Sequence, residues 1–286
     1  MKSVLITGCS SGLGLTTAVT LAKNGLRVFA TVRSLDKRGD LDKALADAGT
    51  TATVLPLDVT DEAAISATVA QILAETGGID ALVNNAGLAI GGFVEDFTLA
   101  EIRAQMETNF FGLVALTKAV LPSMRQRRSG RIVNISSIGG RVGNPIIAPY
   151  VASKFAVEGF SESLSFEAEL FGVQVVLIEP GAYKTDIFEK NRRIAAHALD
   201  PSSPYAAIMS KVEARVNERV AKHAGDPQVV ADCVLHALTV EKPRLRYLVS
   251  TNAKVMANVH RFLGFGVYAA LVRKVFRWPE LAAEVR

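Results

Sequence analysis

Cysteine is scarce in this sequence, and its start lacks an apolar leader. Cys9 and Cys233 are the two cysteines among 286 residues, too few for a disulfide framework, and no CxxC or Cys/His cluster indicates a metal site. A reducing location inside the cell, by default the cytoplasm, is therefore expected. The chain enters a strand pattern at once, where a signal peptide would show an apolar stretch. Residues 262–272 form the longest apolar run near the other end, and these 11 residues fall short of the roughly 20 that cross a bilayer.

An excess of either charge is also missing. Lys and Arg number 32 against 28 Asp and Glu, so the formal net charge is +4. This balance suits an anionic ligand or a membrane surface but is too small to indicate a nucleic-acid-binding protein. The hydrophobic residues make up 49% of the chain, which excludes wholesale disorder.

What the sequence does contain is a repeated alternation of short β-branched runs with helical-period segments. Several of the runs are apolar on both faces, which is typical of parallel strands covered by helices on both sides. The alternation predicts an α/β fold: a doubly wound, mostly seven-stranded parallel sheet in one domain over residues 1–286. The predicted strands are residues 4–7, 28–32, 54–57, 81–84, 131–135, 173–179 and 246–249, and the predicted helices include about 12–24, 36–48, 61–75 and 149–171.

A glycine-rich turn lies between the first strand and the first helix. Gly8 permits the tight turn, Gly12 lets backbone N–H groups approach an anion, and Gly14 allows the helix to pack closely. The helix N-terminus presents N–H groups and a positive dipole end to a pyrophosphate. No Gly-Lys-Ser/Thr follows, so the turn is not a P-loop.

The pattern Thr-Gly-x-x-x-Gly-x-Gly resembles the single-domain form of the short-chain dehydrogenase/reductase family. The resemblance implies a Rossmann fold and hydride transfer between a bound nicotinamide and a carbonyl or alcohol carbon. It also implies that the turn residues beside the glycines, Ser10, Ser11 and Leu13, contact the cofactor.

The end of the second strand bears on which nicotinamide nucleotide binds. Val32 takes the place where NAD-selective proteins carry an acid, and Arg33 follows it. A guanidinium suits a 2′-phosphate, whereas a carboxylate would repel it. These residues favour NADP(H), and the nearby Asp36 keeps NAD(H) as the alternative.

Further cofactor residues follow from the family resemblance. Asp58 and Val59 after the third strand are implied to contact adenine, although Asp58 could simply cap the next turn. Asn-Asn-Ala-Gly after the fourth strand is implied to border the ribose. Pro-Gly after the sixth strand is implied to fold over the nicotinamide, with Thr185 binding its carboxamide. The cofactor residues implied by these two motifs are Asn85, Ala86, Gly87, Pro180, Gly181 and Thr185.

Tyr150 and Lys154 are four residues apart on a predicted helix, so they share one face. An ammonium beside a phenol is expected to lower the phenol pKa towards the pH at which general acid–base catalysis works best. By chance such pairs are common on helices, and the family pattern supplies the specificity. In that pattern Ser137, 13 residues before Tyr150, hydrogen-bonds the substrate oxygen, while Asn109 holds a water that links Lys154 to solvent.

The substrate and partners are less strongly indicated. Apolar residues in 88–97 and 139–149 suggest an apolar pocket, completed by a lid at about 183–225. The likeness to the hydroxysteroid and retinol dehydrogenase branch implies a lipophilic ketone, aldehyde or secondary alcohol. The basic, aromatic extension at about 253–286 is expected to form a lid or subunit contact, with a membrane surface as the alternative. A homodimer or homotetramer is expected. The rival function is a catalytically silent nucleotide-sensing module on the same fold.

Overall fold

Seven parallel strands form one sheet in the order β3-β2-β1-β4-β6-β7-β9. The computed structural model describes residues 2–184 and 193–283. A second, two-stranded parallel sheet pairs β5 with β8. The strands are β1 Ser3–Ile6, β2 Arg27–Val32, β3 Thr53–Pro56, β4 Ala81–Asn84, β5 Ile90–Gly91, β6 Gly130–Ile135, β7 Val173–Pro180, β8 Arg193–Ile194 and β9 Arg246–Val249. The expected fold class is confirmed, and β9 is the seventh strand that the sequence predicts.

Helices cover both faces of this sheet, as parallel strands require. The first face carries α1, α2 and α8, and the second carries α3, α5 and α6. Their bounds are α1 Gly12–Lys23, α2 Gly39–Asp47, α3 Glu62–Thr76, α4 Leu99–Met106, α5 Gly112–Arg127, α6 Ala148–Glu169, α7 Ala206–His223, α8 Gln228–Thr239, α9 Thr251–Val275 and α10 Trp278–Ala283.

Alternate side chains of each strand fill the two core layers. In β1, Val4 and Ile6 pack among the residues of the first face, while Leu5 packs on the second. All three are fully buried. This alternation follows from the two-residue period of an extended strand, and it leaves the carboxyl ends of the strands as one shared edge.

The predicted helix over residues 36–48 is wrong at its start. Ser34 accepts a hydrogen bond from the backbone of Asp36 and begins a short 3₁₀ turn, Leu35–Lys37, before α2 begins at Gly39. Asp36 therefore lies in this turn. Serine caps such turns readily because its hydroxyl competes for nearby backbone groups.

Candidate active site

The turn after β1 has the backbone that its glycines predict. Gly8 and Gly12 have φ values of 72° and 55°, in the left-handed region that favours glycine. A Cβ at Gly14 would stand 2.2 Å from the carbonyl oxygen of Gly8, so only glycine fits where α1 starts. Helix α1 therefore packs closely on the turn, which is the role predicted for Gly14 in a pyrophosphate-binding turn.

The loop after β4 is hydrogen-bonded to this glycine turn. Thr7 Oγ1 accepts from the backbone N–H groups of Asn85 and Ala86 at 3.0 and 2.9 Å. Asn85 Nδ2 donates to the carbonyl oxygens of Thr7 and Gly8 at 2.8 and 3.2 Å. The two segments predicted to border one cofactor thus form a single unit, about 80 residues apart in sequence.

Arg33 and Asp58 lie together beyond the ends of β2 and β3. Arg33 Nε stands 3.6 Å from Asp58 Oδ2, and the Arg33 side chain is 56% exposed. Asp58 also accepts hydrogen bonds from Thr60, so it does cap its own turn. Burial raises the pKa of Asp58, but the Thr60 hydrogen bonds and the charge of Arg33 outweigh it and hold the pKa below its usual range. At 3.6 Å the ion pair is longer than a hydrogen bond, so a phosphate can compete for the guanidinium.

Ser137 and Tyr150 meet at the end of β6. Ser137 Oγ accepts from the backbone N–H of Gly139 at 3.0 Å, which leaves its hydroxyl hydrogen for the phenol oxygen of Tyr150. Pro149 lies in the first turn of α6, as expected, and so fixes the start of the helix that carries Tyr150. Burial raises the pKa of Tyr150 more than the Ser137 hydrogen bond lowers it. The phenol is therefore protonated at neutral pH.

Lys154 lies one turn further along α6 and is 6% exposed. Its Nζ stands 5.7 Å from the Tyr150 ring centroid and donates to the carbonyl oxygen of Ile135 at 2.8 Å. Burial lowers the pKa of Lys154 to about 8, against an opposing effect of Glu158. The pKa of Tyr150 is therefore raised, against the expectation that it falls towards neutral pH, because desolvation of the phenol dominates.

Asn109 lies in a π-helical turn, Glu107–Phe111, between α4 and α5. Its Oδ1 accepts from the backbone N–H of Leu88 at 2.8 Å, and its Nδ2 donates to Leu88 O and Ser153 Oγ, both at 3.0 Å. Ser153 in turn donates to the carbonyl oxygen of Tyr150. Asn109 therefore ties the loop after β4 to the stretch of α6 that carries Tyr150 and Lys154, and π turns are frequent at functional positions.

Comparison with known proteins decides the family. The family model described as short chain dehydrogenase matches residues 2–195. The chain belongs to the short chain dehydrogenase family. It is 37% identical to an uncharacterized oxidoreductase, YusZ, from Bacillus subtilis over 276 residues, covering 96% of this chain and 98% of that one. It is 36% identical to retinol dehydrogenase 8 from Bos taurus, covering 98% and 92%, and 38% identical to 17-beta-hydroxysteroid dehydrogenase type 1 from Mus musculus, covering 87% and 73%. It is an oxidoreductase of this family.

Solved structures of short chain dehydrogenases have the same fold. A short-chain dehydrogenase from Streptomyces avermitilis matches with a TM-score of 0.78 at 33% identity, over 100% of this chain and 98% of that one. An actinorhodin polyketide ketoreductase with NADPH matches with a TM-score of 0.71 at 34% identity, over 87% and 96%.

The remaining residues that the family pattern implies surround the same edge of the sheet. Ser10, Ser11 and Leu13 are half-buried in the glycine turn, and Val59 is buried behind Asp58. Gly87 lies against Asn109, since a Cβ there would be 3.3 Å from Asn109 Oδ1. Pro180 ends β7, and Gly181 follows with its N–H on Val249 O at 3.3 Å. Thr185 lies outside the described residues.

The sequence analysis did not predict a buried ionic network that begins one helical turn beyond Lys154. Glu158, one turn beyond Lys154, is 5% exposed and binds Arg246 on β9 at 3.1 Å. Glu179 on β7 is fully buried and lies 3.2 Å from Arg141 and 3.4 Å from Arg246. Burial, with the charge of Glu158, raises the pKa of Glu179 to about 7 against the two arginines. The four-residue step from Lys154 to Glu158 places Glu158 on the same helix face as Lys154, but it does not indicate Arg246 or Glu179.

The apolar residues named as a pocket do pack together. Ile90, Phe97 and Met209 are buried in one cluster that also contacts Phe93 and Ile146. Phe93 stacks on Tyr205, with ring centroids 4.5 Å apart. Tyr268 of α9 is 1% exposed and donates to the carbonyl oxygen of Gly143 at 2.6 Å, within the loop that leads to Tyr150.

Proposed function

We propose that the protein is an NADP(H)-dependent oxidoreductase that interconverts a lipophilic ketone or aldehyde and its alcohol. The observation that carries the proposal is that Ser137 and Tyr150 lie together: a Cβ at Gly139 would stand 3.4 Å from both Ser137 Oγ and Tyr150 Cε1. Lys154 lies one helical turn away, and the glycine turn shares the same edge of the sheet. Steroid-, retinoid- or lipid-like carbonyl compounds are the proposed substrates.

The chain's own residues supply the proton chemistry. When bound, NADPH supplies the hydride. Tyr150 donates its phenolic proton to the substrate oxygen, and Ser137 Oγ hydrogen-bonds that oxygen as negative charge develops on it. Because the pKa of Tyr150 is raised, the phenol carries its proton at neutral pH, which is the form that carbonyl reduction needs. In the reverse direction the tyrosinate accepts the alcohol proton. Asn109 is proposed to hold the water that reconnects Lys154 with solvent.

The residues present fit a dinucleotide. The backbone of the glycine turn leaves no room for a Cβ at Gly14, which is what a pyrophosphate-binding turn needs. Ser10, Ser11 and Leu13 would hold the phosphates, and Arg33 would bind a 2′-phosphate. Asp58 and Val59 would contact the adenine, and Asn85, Ala86, Gly87, Pro180, Gly181 and Thr185 would border the ribose and nicotinamide.

The substrate class rests on the apolar cluster and on the relatives. Phe93, Ile146 and Tyr205 form a largely apolar wall, which favours a bulky apolar substrate over a small polar one. Two of its relatives, retinol dehydrogenase 8 and 17-beta-hydroxysteroid dehydrogenase type 1, are named after lipophilic alcohols.

Assembly as a homodimer or homotetramer in the cytoplasm is part of the same proposal. Three large apolar side chains of α6 and the residue after it are exposed, namely Phe155 at 46%, Phe166 at 70% and Leu170 at 71%. An apolar helix face of this kind is typical of a subunit contact.

Cofactor choice is tested by fluorescence titration of the full chain with NADPH and with NADH. Arg33→Asp should weaken NADPH binding about thirtyfold, because it removes charge-assisted hydrogen bonds and adds repulsion, while NADH binding improves or stays the same. Arg38→Asp is the matched control, since Arg38 lies in the same connection but pairs with Asp42. Equal loss in both variants would contradict the role of Arg33.

Turnover is tested by following nicotinamide absorbance with steroid ketones, retinal and long-chain ketones. NADPH consumption that depends on the carbonyl compound supports the proposal. Tight nucleotide binding without turnover of any carbonyl class would support the sensing module, and binding of neither nucleotide would overturn both functions.

A further inference from the structure

Helix α9 contains an exposed apolar corner. Gly264, with φ 76° and ψ 172°, breaks the helix into residues 251–263 and 265–275. All seven residues at 261–267 are exposed, and these residues are called the corner below. Phe262 is 72% exposed, Leu263 60% and Phe265 68%. Large side chains so exposed at consecutive positions indicate a surface that contacts something apolar.

The charge around the corner is of one sign. Residues 242–279 contain eight Lys and Arg residues and no Asp or Glu, and of these cations Arg246 and Arg277 pair with glutamates outside the segment. Arg261, Arg273 and Lys274 of α9 are exposed, and the described residues include no acidic partner for them. Apolar side chains flanked by unpaired cations are the combination that binds an anionic lipid surface.

The exposed apolar residues of α6 are surrounded by charge of the opposite, negative sign. The helix carries Glu158, Glu162, Glu167 and Glu169 against one cation, Lys154. A second copy of the chain suits that face. The corner on α9, with its cations, repels a second corner and instead complements an anion-rich surface.

The corner cannot be the middle of a membrane span. One described helix, α9, is long and apolar enough to cross a bilayer by length and composition. Its two halves have 13 and 11 residues, and about 20 helical residues are needed. Tyr268 is also buried against the loop at Gly143, which holds the second half on the protein.

We propose that the corner docks on the surface of an anionic bilayer, with Phe262, Leu263 and Phe265 in the interface and the cations at the headgroups. Docking there also brings the apolar wall that contains Phe93 and Ile146 close to the lipid. Phe276 and Trp278, just beyond α9, pack in a cluster with Phe93 and Ile146. A lipophilic substrate would then reach the site from the bilayer, a consequence that rests on the proposed function, whereas docking itself does not.

The test is flotation of the full chain with vesicles of phosphatidylcholine alone and of phosphatidylcholine mixed with phosphatidylserine. Phe262→Ser/Leu263→Ser should lower partition onto the mixed vesicles about tenfold or more. The matched control is Phe166→Ser/Leu170→Ser, which removes a phenylalanine and a leucine of similar exposure from the acidic helix. This variant leaves the corner intact but alters the proposed subunit contact, so its oligomeric state is measured beside flotation. Its partition onto the mixed vesicles should fall much less than that of the corner variant. Arg273→Gln/Lys274→Gln should weaken binding about twenty-fivefold, at about fivefold per cation, and high salt should also weaken it.

Three results would overturn the proposal. The first is no flotation with either vesicle, and the second is equal flotation of the wild type and the corner variant. The third is a change in oligomeric state, by analytical ultracentrifugation, in the corner variant alone, which would assign the corner to a second copy. Reduction of a water-soluble ketone by the corner variant should equal that of the wild type. Vesicle binding is read without turnover, so failure of the proposed activity and failure of docking are distinguishable.

Discussion

Helices α6 and α9 are the two longest helices described, with 22 and 25 residues, and they bury different kinds of side chain. The buried residues of α6 include the polar Ser153, Lys154, Glu158 and Ser161. Those of α9 are Ala253, Ala257 and Tyr268. Both helices expose large apolar side chains, against the usual arrangement of a surface helix.

The difference shows that the side chains that each helix buries depend on what the helix contacts. Buried polar groups cost free energy unless they are hydrogen-bonded, and Lys154, Ser153 and Ser161 of α6 all have partners. On the proposed function, α6 keeps them because the site needs a proton donor and a cation out of water. Helix α9 buries only Ala253, Ala257 and Tyr268, so much of its apolar surface remains available. Each helix has one tyrosine hydroxyl directed at the segment 137–144: Tyr150 of α6 towards Ser137, and Tyr268 of α9 towards Gly143. The two hydroxyls can therefore be compared by the same substitution.

Removing the hydroxyls of Tyr150 and Tyr268 should give the largest difference in kcat between variants of the two helices. Tyr150→Phe should lower kcat about a thousandfold, because it removes the proton donor while the ring stays in place. Affinity for NADPH, by fluorescence titration, should change little. Tyr268→Phe deletes the same atom from α9 and should leave kcat almost unchanged, while lowering the free energy of unfolding by about 1 kcal/mol for one lost hydrogen bond.

The two variants are compared by steady-state kinetics and by urea denaturation. Turnover of Tyr150→Phe within about tenfold of the wild type would show that another group donates the proton. A large loss of kcat in Tyr268→Phe would show that α9 is part of the catalytic machinery.

Local patterns made most of α6 predictable and little of α9. The Tyr150–Lys154 step, Pro149 and the strand before Ser137 are short-range signals, and each lies where the sequence indicates. The network of Glu158, Arg246 and Glu179 joins three elements that are distant in sequence, and no local pattern connects them. The direction of the Tyr150 pKa shift depends on burial, which only the packed structure determines. In α9 the apolar pattern continues through Gly264, so the break was not predicted.

Glycine substitutions on the two helices should change the free energy of unfolding in opposite directions. Gly264→Ala should destabilise the chain by about 1–3 kcal/mol or straighten α9, because alanine is strained at φ 76°. Gly159→Ala on α6 should stabilise it by about 0.5–1 kcal/mol, because that glycine is in regular helix with nothing within 4 Å of a Cβ. Urea midpoints measure both. A stabilising Gly264→Ala would mean that the break in α9 is not a preferred conformation.

The smallest expected effect concerns Glu158, the carboxylate one turn beyond Lys154. Its charge raises the pKa of Lys154, which burial otherwise lowers to about 8. Glu158→Gln removes that charge, so the pKa of Lys154 should fall further. The ammonium is then lost at a lower pH, and the alkaline limb of kcat/KM for carbonyl reduction should move to lower pH. At pH 8 the rate should fall about threefold, with little change at pH 6.

Glu162→Gln is the matched control, because Glu162 also binds Arg246, at 2.8 Å, but is 54% exposed. It leaves Glu158 in place beside Lys154, so its pH profile should match that of the wild type. The profile is the informative readout, since a purely structural role of Glu158 would lower the rate equally at every pH. A uniform loss would therefore assign Glu158 to the packing of Arg246 and Glu179, while a shifted limb assigns it to the positioning of charge around Lys154.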